Sequence, residues 1–158
     1  MIEDYHTEKK FDVILLLNII EHVANPISVL QKTEKMLAPR GIVVIKTPNV
    51  DSLDANLFRR SYWGGLHCPR HWIIFSDKSF LKMVEQVKLS VVQISFTQGA
   101  PFWTYSILQL FRKKKVELKK TPLIDHPLFG VLSLLFAIFD TVRSMFSKTS
   151  QMFVVLKK

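Results

Sequence analysis

The sequence is short of several things. It has one cysteine, Cys68, so it contains neither an internal disulfide framework nor a multi-cysteine zinc site. Its five glycines, Gly41, Gly64, Gly65, Gly99 and Gly130, form no Gly-x-Gly. A strand-to-helix turn that cradles a nucleotide needs glycine for close backbone approach, and no such turn is present. Long apolar runs are missing too. The longest predominantly apolar run without a charge, Pro127–Phe139, has 13 residues, whereas a bilayer span needs roughly 18–20. Met1–Lys10 is polar and carries both signs of charge, which does not read as a signal peptide. Acid is scarce: 13 Asp and Glu stand against 22 Lys and Arg, a net charge of +9. That excess permits an anionic partner without identifying one. No internal repeat or low-complexity segment is visible. With 158 residues, 48% hydrophobic and 22% charged, the chain is expected to fold as one domain with a core of useful size. The expected setting is reducing and cytoplasmic, with a membrane surface as the added option.

Periodicity and punctuation give the elements. Phe11–Leu17 (FDVILLL) is a continuous apolar run, short enough for a strand buried on both faces of a parallel sheet. Asn25-Pro26 reads as an N-cap followed by proline at the first helical position. Ile27, Leu30, Thr33 and Leu37 follow at helical spacing, and Ala38-Pro39-Arg40-Gly41 stops the helix. Ile42–Lys46 is a second buried strand, which makes a βαβ unit with a right-handed crossover. Ser52–Arg60 reads as a short helix with Leu53 and Leu57 inward. Ser76 caps a helix over Asp77–Val87 with Phe80, Leu81, Val84 and Val87 on one face. Leu89–Phe96 is a third strand, Phe102–Val116 a helix, Pro127–Phe146 a strongly apolar helix and Gln151–Leu156 a last short strand. The class is α/β.

One group of residues carries a resemblance. Phe11-Asp12-Val13 opens a strand, Glu21-His22-Val23 follows it, and Asn25-Pro26 starts a helix. Leu37-Ala38-Pro39-Arg40-Gly41 and Thr47-Pro48-Asn49 flank the next strand. A later block runs from Trp63-Gly64-Gly65 through Pro69-Arg70-His71-Trp72-Ile73-Ile74-Phe75-Ser76. Together they resemble the second half of class I S-adenosylmethionine-dependent methyltransferases. The likeness covers about residues 9–98 and continues in outline to the end. It implies a Rossmann-like sheet of seven strands ordered 3-2-1-4-5-7-6. This chain would supply strands 4, 5 and 6 and the antiparallel 7, a partial sheet ordered 4-5-7-6, with residues 99–150 as a helical cover inserted before the last strand. The glycine-rich cofactor loop and the acidic ribose-binding residue of that family belong to the first three strands and are not in this sequence. The expectation is a single N-terminally truncated domain over 1–158. A degenerate or split gene would produce the same gap, as would a partner chain that completes the sheet.

The resemblance implies S-adenosylmethionine as cofactor and an in-line displacement at its methyl group. It places the crevice at the carboxyl end of the fourth strand. Asn18, Glu21 and His22 lie there by position. His22 is the candidate general base, since an unperturbed imidazole titrates near pH ~6.5, and Glu21 and His71 join it as catalytic candidates. Asn18 and Asp4 are the cofactor-binding candidates. Trp63, Arg70 and Trp72 are candidates for an acceptor pocket, with Arg70 suited to a carboxylate or phosphate. Structural readings stand beside these. His22 can simply hold the loop, Glu21 can meet backbone N–H groups at the next helix start, the aromatic block can pack beneath the sheet, and Asp4 with Glu3 can be a solvated N-terminal pair. Some relatives carry Glu-x-x-Glu-His here and bind a divalent cation. In this chain Asn18 replaces the first glutamate, which weakens a site for a hard cation, and no metal is expected. Cys68 reads as an ordinary thiol.

The tail adds a different idea. Arg112, Lys113, Lys114, Lys115, Lys119 and Lys120 fall within nine residues, with Glu117 the only acid among them. A Leu- and Phe-rich helix follows. Such a pairing suits an anionic membrane surface, or equally a helical cover with a solvated basic turn. Nucleic acid is not the expected partner, because no aromatics are interleaved with the basic run as stacking platforms. The expected function is methyl transfer to a small or lipid-linked acceptor, completed by an N-terminal half. The alternative is a non-catalytic membrane-surface or partner-binding module built from the same fold.

Overall fold

The computed structural model describes Tyr5 and residues 7–67, 69–114 and 122–158. Its strands are β1 (Phe11–Leu17), β2 (Leu37–Pro48), β3 (Ser90–Thr97) and β4 (Gln151–Lys157). Its helices are α1 (Pro26–Met36), α2 (Leu53–Phe58), α3 (Asp77–Val84), α4 (Ala100–Lys114) and α5 (Phe129–Ser144), with 3-10 turns at Ile20–His22 and Leu123–Asp125. The sheet order is β1-β2-β4-β3. β1 and β2 are parallel, in register from Val13 opposite Ile42 to Leu17 opposite Lys46. β4 runs the other way. The Asn49 N–H just past β2 donates to the Ser150 carbonyl just before β4 (2.9 Å), and the Lys158 N–H after β4 donates to the Gly41 carbonyl early in β2 (3.4 Å). The Thr149 hydroxyl donates to the Thr97 carbonyl (2.8 Å), so the start of β4 also meets the end of β3. This is the 4-5-7-6 order with an antiparallel last strand that the resemblance implied.

The chain divides into two compact units. The first comprises Met1–Pro48, Pro69–Ser95 and Met152–Lys158, and the second Asn49–Cys68 and Phe96–Gln151. In the first unit, local chemistry sets the helices. The Asn25 side chain accepts from the Ser28 N–H (3.0 Å) and Pro26 sits in the first turn, so α1 starts where the cap puts it. It buries Pro26, Val29, Leu30, Thr33 and Met36. Ser76 and Ser79 form a capping box for α3, which buries Phe80, Met83 and Val84 and ends three residues before the expected Val87.

Two expectations about this unit are corrected. Ala38-Pro39-Arg40-Gly41 is not a turn ahead of the second strand. Leu37 already faces Phe11 and Ile42 faces Val13, so the four residues from Ala38 to Gly41 oppose Asp12 alone, as a bulge inside β2. Gly41 permits it, since a Cβ there would stand 2.8 Å from the Phe11 carbonyl oxygen. Nor is β1 buried on both faces. Leu16 is buried, but Val13, Leu15 and Leu17 are 52%, 55% and 45% exposed. Val13, Leu15 and Leu17 alternate along the strand and so share one face, which is left exposed, and β1 is also an edge strand with one neighbour.

The second unit is organised by buried acids. The Asp54 carboxylate accepts the Trp63 indole N–H (2.7 Å), and its other oxygen lies 2.8 Å from the Ser150 hydroxyl. Asp140 accepts the Gly99 N–H (3.0 Å), lies 2.9 Å from the same hydroxyl and pairs with Arg143 (2.8 Å). Because Asp54 must point inward, α2 buries Asp54, Ala55 and Phe58 and turns Leu53 and Leu57 outward, the reverse of the expected face. Around these acids Trp103 stacks on Phe136 (5.1 Å, 4°) and meets Phe58 and Phe139 edge-on. Of all the residues of α5, only Asp140 is buried. No helix among the described residues is long and apolar enough to cross a membrane.

Asp140→Ala would strand the Gly99 N–H and the Arg143 guanidinium. We expect it to destabilise the fold by about 3 kcal/mol or more, because a buried partner is left unpaired. Leu134→Ala, at a position 64% exposed, should stay within about 0.5 kcal/mol of wild type. Urea denaturation of both variants checks this inversion of the usual hydropathy rule.

Candidate functional site

The site is the rim at the carboxyl end of β1. The Asn18 N–H still donates to the Lys46 carbonyl (2.8 Å), which extends the β1–β2 pairing by one residue. Asn18 then takes a left-handed conformation, φ 55°, which asparagine tolerates better than most residues because its short amide bonds locally. The chain turns there into the 3-10 turn and drives Ile20 and Glu21 inward, both fully buried.

Each oxygen of Glu21 is engaged. One carboxylate oxygen accepts the Asn18 side-chain amide (3.1 Å) and the other accepts the Thr47 hydroxyl at the end of β2 (3.1 Å). Its backbone carbonyl accepts the Trp72 N–H (2.9 Å) and the Ile73 N–H (3.3 Å). One residue thus ties the β1 rim, the end of β2 and the 70–73 loop together. Burial pushes the Glu21 carboxyl above its ordinary range. The Glu21 backbone, the Asn18 and Thr47 hydrogen bonds and the charge of His22 work in the opposite direction.

His22 is exposed, and its Nδ1 lies 2.8 Å from the Arg70 carbonyl. A carbonyl only accepts, so Nδ1 carries the hydrogen and Nε2 of the neutral ring keeps its lone pair. The His71 ring meets the His22 ring edge-on, with centroids 4.6 Å apart. Glu21, His22 and His71 each offer one ligand atom within 4.8 Å of the others. A carboxylate with two imidazoles is a donor set for borderline transition ions rather than for a hard cation. In the arrangement seen here the Glu21 oxygens and the His22 Nδ1 are committed to hydrogen bonds. The chemistry at hand is an oriented, solvent-facing imidazole beside a buried carboxyl.

The structure therefore brings together Asn18, Glu21, His22, Arg70, His71 and Trp72. Arg70 is exposed and Trp72 is 70% exposed. Trp63 belongs to the second unit, where it is buried with its indole on Asp54 and its ring edge-on to Phe102. Gly64 beside it lets α4 approach, since a Cβ there would fall 2.5 Å from the Phe102 carbonyl oxygen. Asp4 and Cys68 lie outside the described residues. His22 bonds the loop, as its structural reading expects, and its Nε2 lies outside that bond. The Glu21 carboxylate goes to Asn18 and Thr47, not to a helix start. Thr47 and the Arg70 carbonyl were not singled out from the sequence. Thr47 stood in the Thr-Pro-Asn segment as a strand end, and a polar residue closing an apolar strand was the available signal.

Comparison with known proteins gives a consistent picture. The family described as Methyltransferase domain matches residues 2–94. No curated protein matches the chain. Among solved structures, a possible histamine N-methyltransferase of Thermotoga maritima is 11% identical, with TM-score 0.55, over 100% of this chain and 61% of that one. Coclaurine N-methyltransferase bound to N-methylheliamine and S-adenosylhomocysteine is 17% identical, with TM-score 0.54, over 100% of this chain and 51% of that one. The cyclase SpnF is 10% identical, with TM-score 0.52, over 100% and 53%. The chain spans between half and about three-fifths of the length of these proteins. At such identities the likeness is one of fold.

The raised Glu21 carboxyl gives a signed prediction. As pH rises from about the ordinary carboxylate value of 4.5, the unfolded chain releases this proton before the folded one. Its contribution to stability is whole below that range and is lost as pH passes the raised value. Glu21→Gln, neutral and close in shape, should flatten that segment of the stability curve. Urea midpoints of both proteins across pH 4 to 8 test it, and parallel curves would refute the shift. Thr47→Val removes one donor to the buried carboxylate and should cost about 1–3 kcal/mol at neutral pH.

Proposed function

Since the chain belongs to the Methyltransferase domain family, we propose that it is the acceptor-side part of an S-adenosylmethionine-dependent methyltransferase that acts on a small or lipid-linked acceptor. The observation that carries this reading is the rim geometry: an imidazole fixed by a carbonyl, with its basic nitrogen directed away from that partner. S-adenosylmethionine, when bound, supplies a methyl group on a positively charged sulfur, ready for in-line displacement.

The residues of this chain take the other roles. His22 Nε2 accepts the proton that an O–H or N–H acceptor loses as its bond to the methyl group forms. Glu21 is a positioning residue: it sets the turn that carries His22 and the loop that orients it. His71 packs against His22 and limits its ring rotation. Trp72 offers an apolar face to the acceptor, and Arg70 a guanidinium for an acceptor carboxylate or phosphate. Asn18 spends its side-chain amide on Glu21, so it serves the cofactor by shaping the rim. Asp4 is proposed to reach the adenine. In this proposal the methionine end of the cofactor is held by a glycine-rich turn that the 158 residues do not contain, supplied by further sequence or by a partner chain. The cyclase SpnF shares the fold, so chemistry and not fold has to decide the activity.

Titration calorimetry with S-adenosylhomocysteine tests the reading. The chain alone should bind it with a Kd weaker than about 1 mM. Tight one-to-one binding by the chain alone would overturn the dependence on a further cofactor loop. The chain joined to an in-frame upstream strand, glycine-rich turn and helix, read from the genomic DNA, should bind one-to-one. In that protein His22→Gln should slow methyl transfer about 10²–10⁴-fold and leave S-adenosylhomocysteine binding in place. Failure of the joined protein to bind would end the methyltransferase reading.

A further inference from the structure

We propose that the outward face of α5 docks in the plane of an anionic lipid bilayer, with the groove beside its C-terminal end receiving headgroup phosphates. The helix is apolar on the side that faces away from its own unit. Leu128, Val131, Leu135, Ile138, Val142 and Met145 recur at intervals of three and four residues along it, and each is more than half exposed. The opposite stripe is spent on α4. Phe129 meets Tyr105 (5.2 Å), Ser133 meets the Thr104 hydroxyl (3.1 Å), Phe136 stacks on Trp103 and Asp140 is buried. The exposed stripe is therefore not a core face awaiting a neighbour within this unit. A contiguous apolar surface of this kind marks an interaction site.

Charge selects the occupant. In sequence, residues 96–151 of this unit hold eight of the 22 Lys and Arg but only three of the 13 acids, Glu117, Asp125 and Asp140. Asp140 is buried and already paired with Arg143. At the end of α5 a groove of ≈ 660 Å³ has Arg59 and Lys148 on its walls together with the Asp140-paired Arg143, with Asp51 the acid among them and Ser147 beside them. An apolar stripe that ends in a cationic groove matches acyl chains bordered by phosphates. It does not match a second copy of the chain, which would present the same positive charge. The geometry also sets the orientation. Sixteen residues span about 24 Å, short of the roughly 30 Å hydrocarbon core, so the helix lies along the surface. The inference is independent of the methyltransferase reading, although it would bring a lipid-linked acceptor to the protein.

Vesicle co-sedimentation with the full chain decides it. Binding to phosphatidylcholine vesicles that contain 30% phosphatidylserine should exceed binding to pure phosphatidylcholine by about tenfold or more and should weaken as salt rises. Leu135→Ser with Ile138→Ser should lower it about tenfold, and Arg59→Glu should lower it severalfold. All three positions are exposed, and thermal melts confirm that the fold is kept. Binding that ignores phosphatidylserine, or no binding to either vesicle, overturns the proposal. So does a concentration-dependent dimer in sedimentation velocity that Leu135→Ser with Ile138→Ser abolishes, because the face then belongs to a second copy.

Discussion

One buried carboxyl holds the rim together. Taking Glu21 out of water is unfavourable on its own, and that cost is what fixes its surroundings, because a buried acid must find donors. It finds one on the residue that turns the chain, Asn18, and one on the strand next door, Thr47. Its carbonyl holds the 70–73 loop. The side chain thus sets the turn relative to the sheet, and the backbone sets the loop relative to the turn. His22 is the next residue, so its place and the carbonyl that orients it are both set by Glu21. A defect at Glu21 would move His22 and its orienting partner together.

The second unit obeys the same rule. Asp54 and Asp140 are fully buried within helices whose leucines face solvent. Hydropathy alone would rotate both helices the other way. The inward choice follows from the donors available: the Trp63 indole, the Gly99 N–H, the Ser150 hydroxyl and Arg143. An unpaired buried donor costs more than an exposed leucine, which gives up favourable burial without leaving a bond unmade. Polar satisfaction therefore sets the helix faces here, and the apolar stripe of α5 is left outside as a consequence.

What the sequence disclosed, and what it withheld, follows from the range of the forces involved. β1 was placed to the residue and α1 at its cap, because an apolar run and an Asn-Pro pair are local signals. The strand order came with the family resemblance. The errors of facing and pairing were all tertiary. Nothing near Leu53 or Leu57 announces that Asp54 will be matched by Trp63 and by Ser150, almost a hundred residues on. The Ala-Pro-Arg-Gly segment carries the punctuation of a turn, and only the pairing of Leu37 with Phe11 makes it a bulge. At the site, Asn18, Glu21 and His22 were legible as a motif. The group that orients His22 was not, because it is the backbone carbonyl of Arg70 and any residue has one. Trp63 was grouped with Trp72 by composition, and the structure assigns it to the core of the other unit.

The choice of a carbonyl to orient His22 has an electrostatic consequence. A carboxylate in that place would fix the tautomer and also supply a counter-charge for the imidazolium. A carbonyl fixes the tautomer and supplies only a dipole. The counter-charge for a proton on His22 must then come from elsewhere, and the neighbour able to give it is Glu21. Burial favours the neutral form of that carboxyl, and a positive His22 draws it back toward ionisation. The Glu21 carboxyl is therefore held between opposed influences, burial on one side and its two hydrogen-bond donors with the neighbouring imidazole on the other, while the loop that carries the Arg70 carbonyl keeps that imidazole in place beside it.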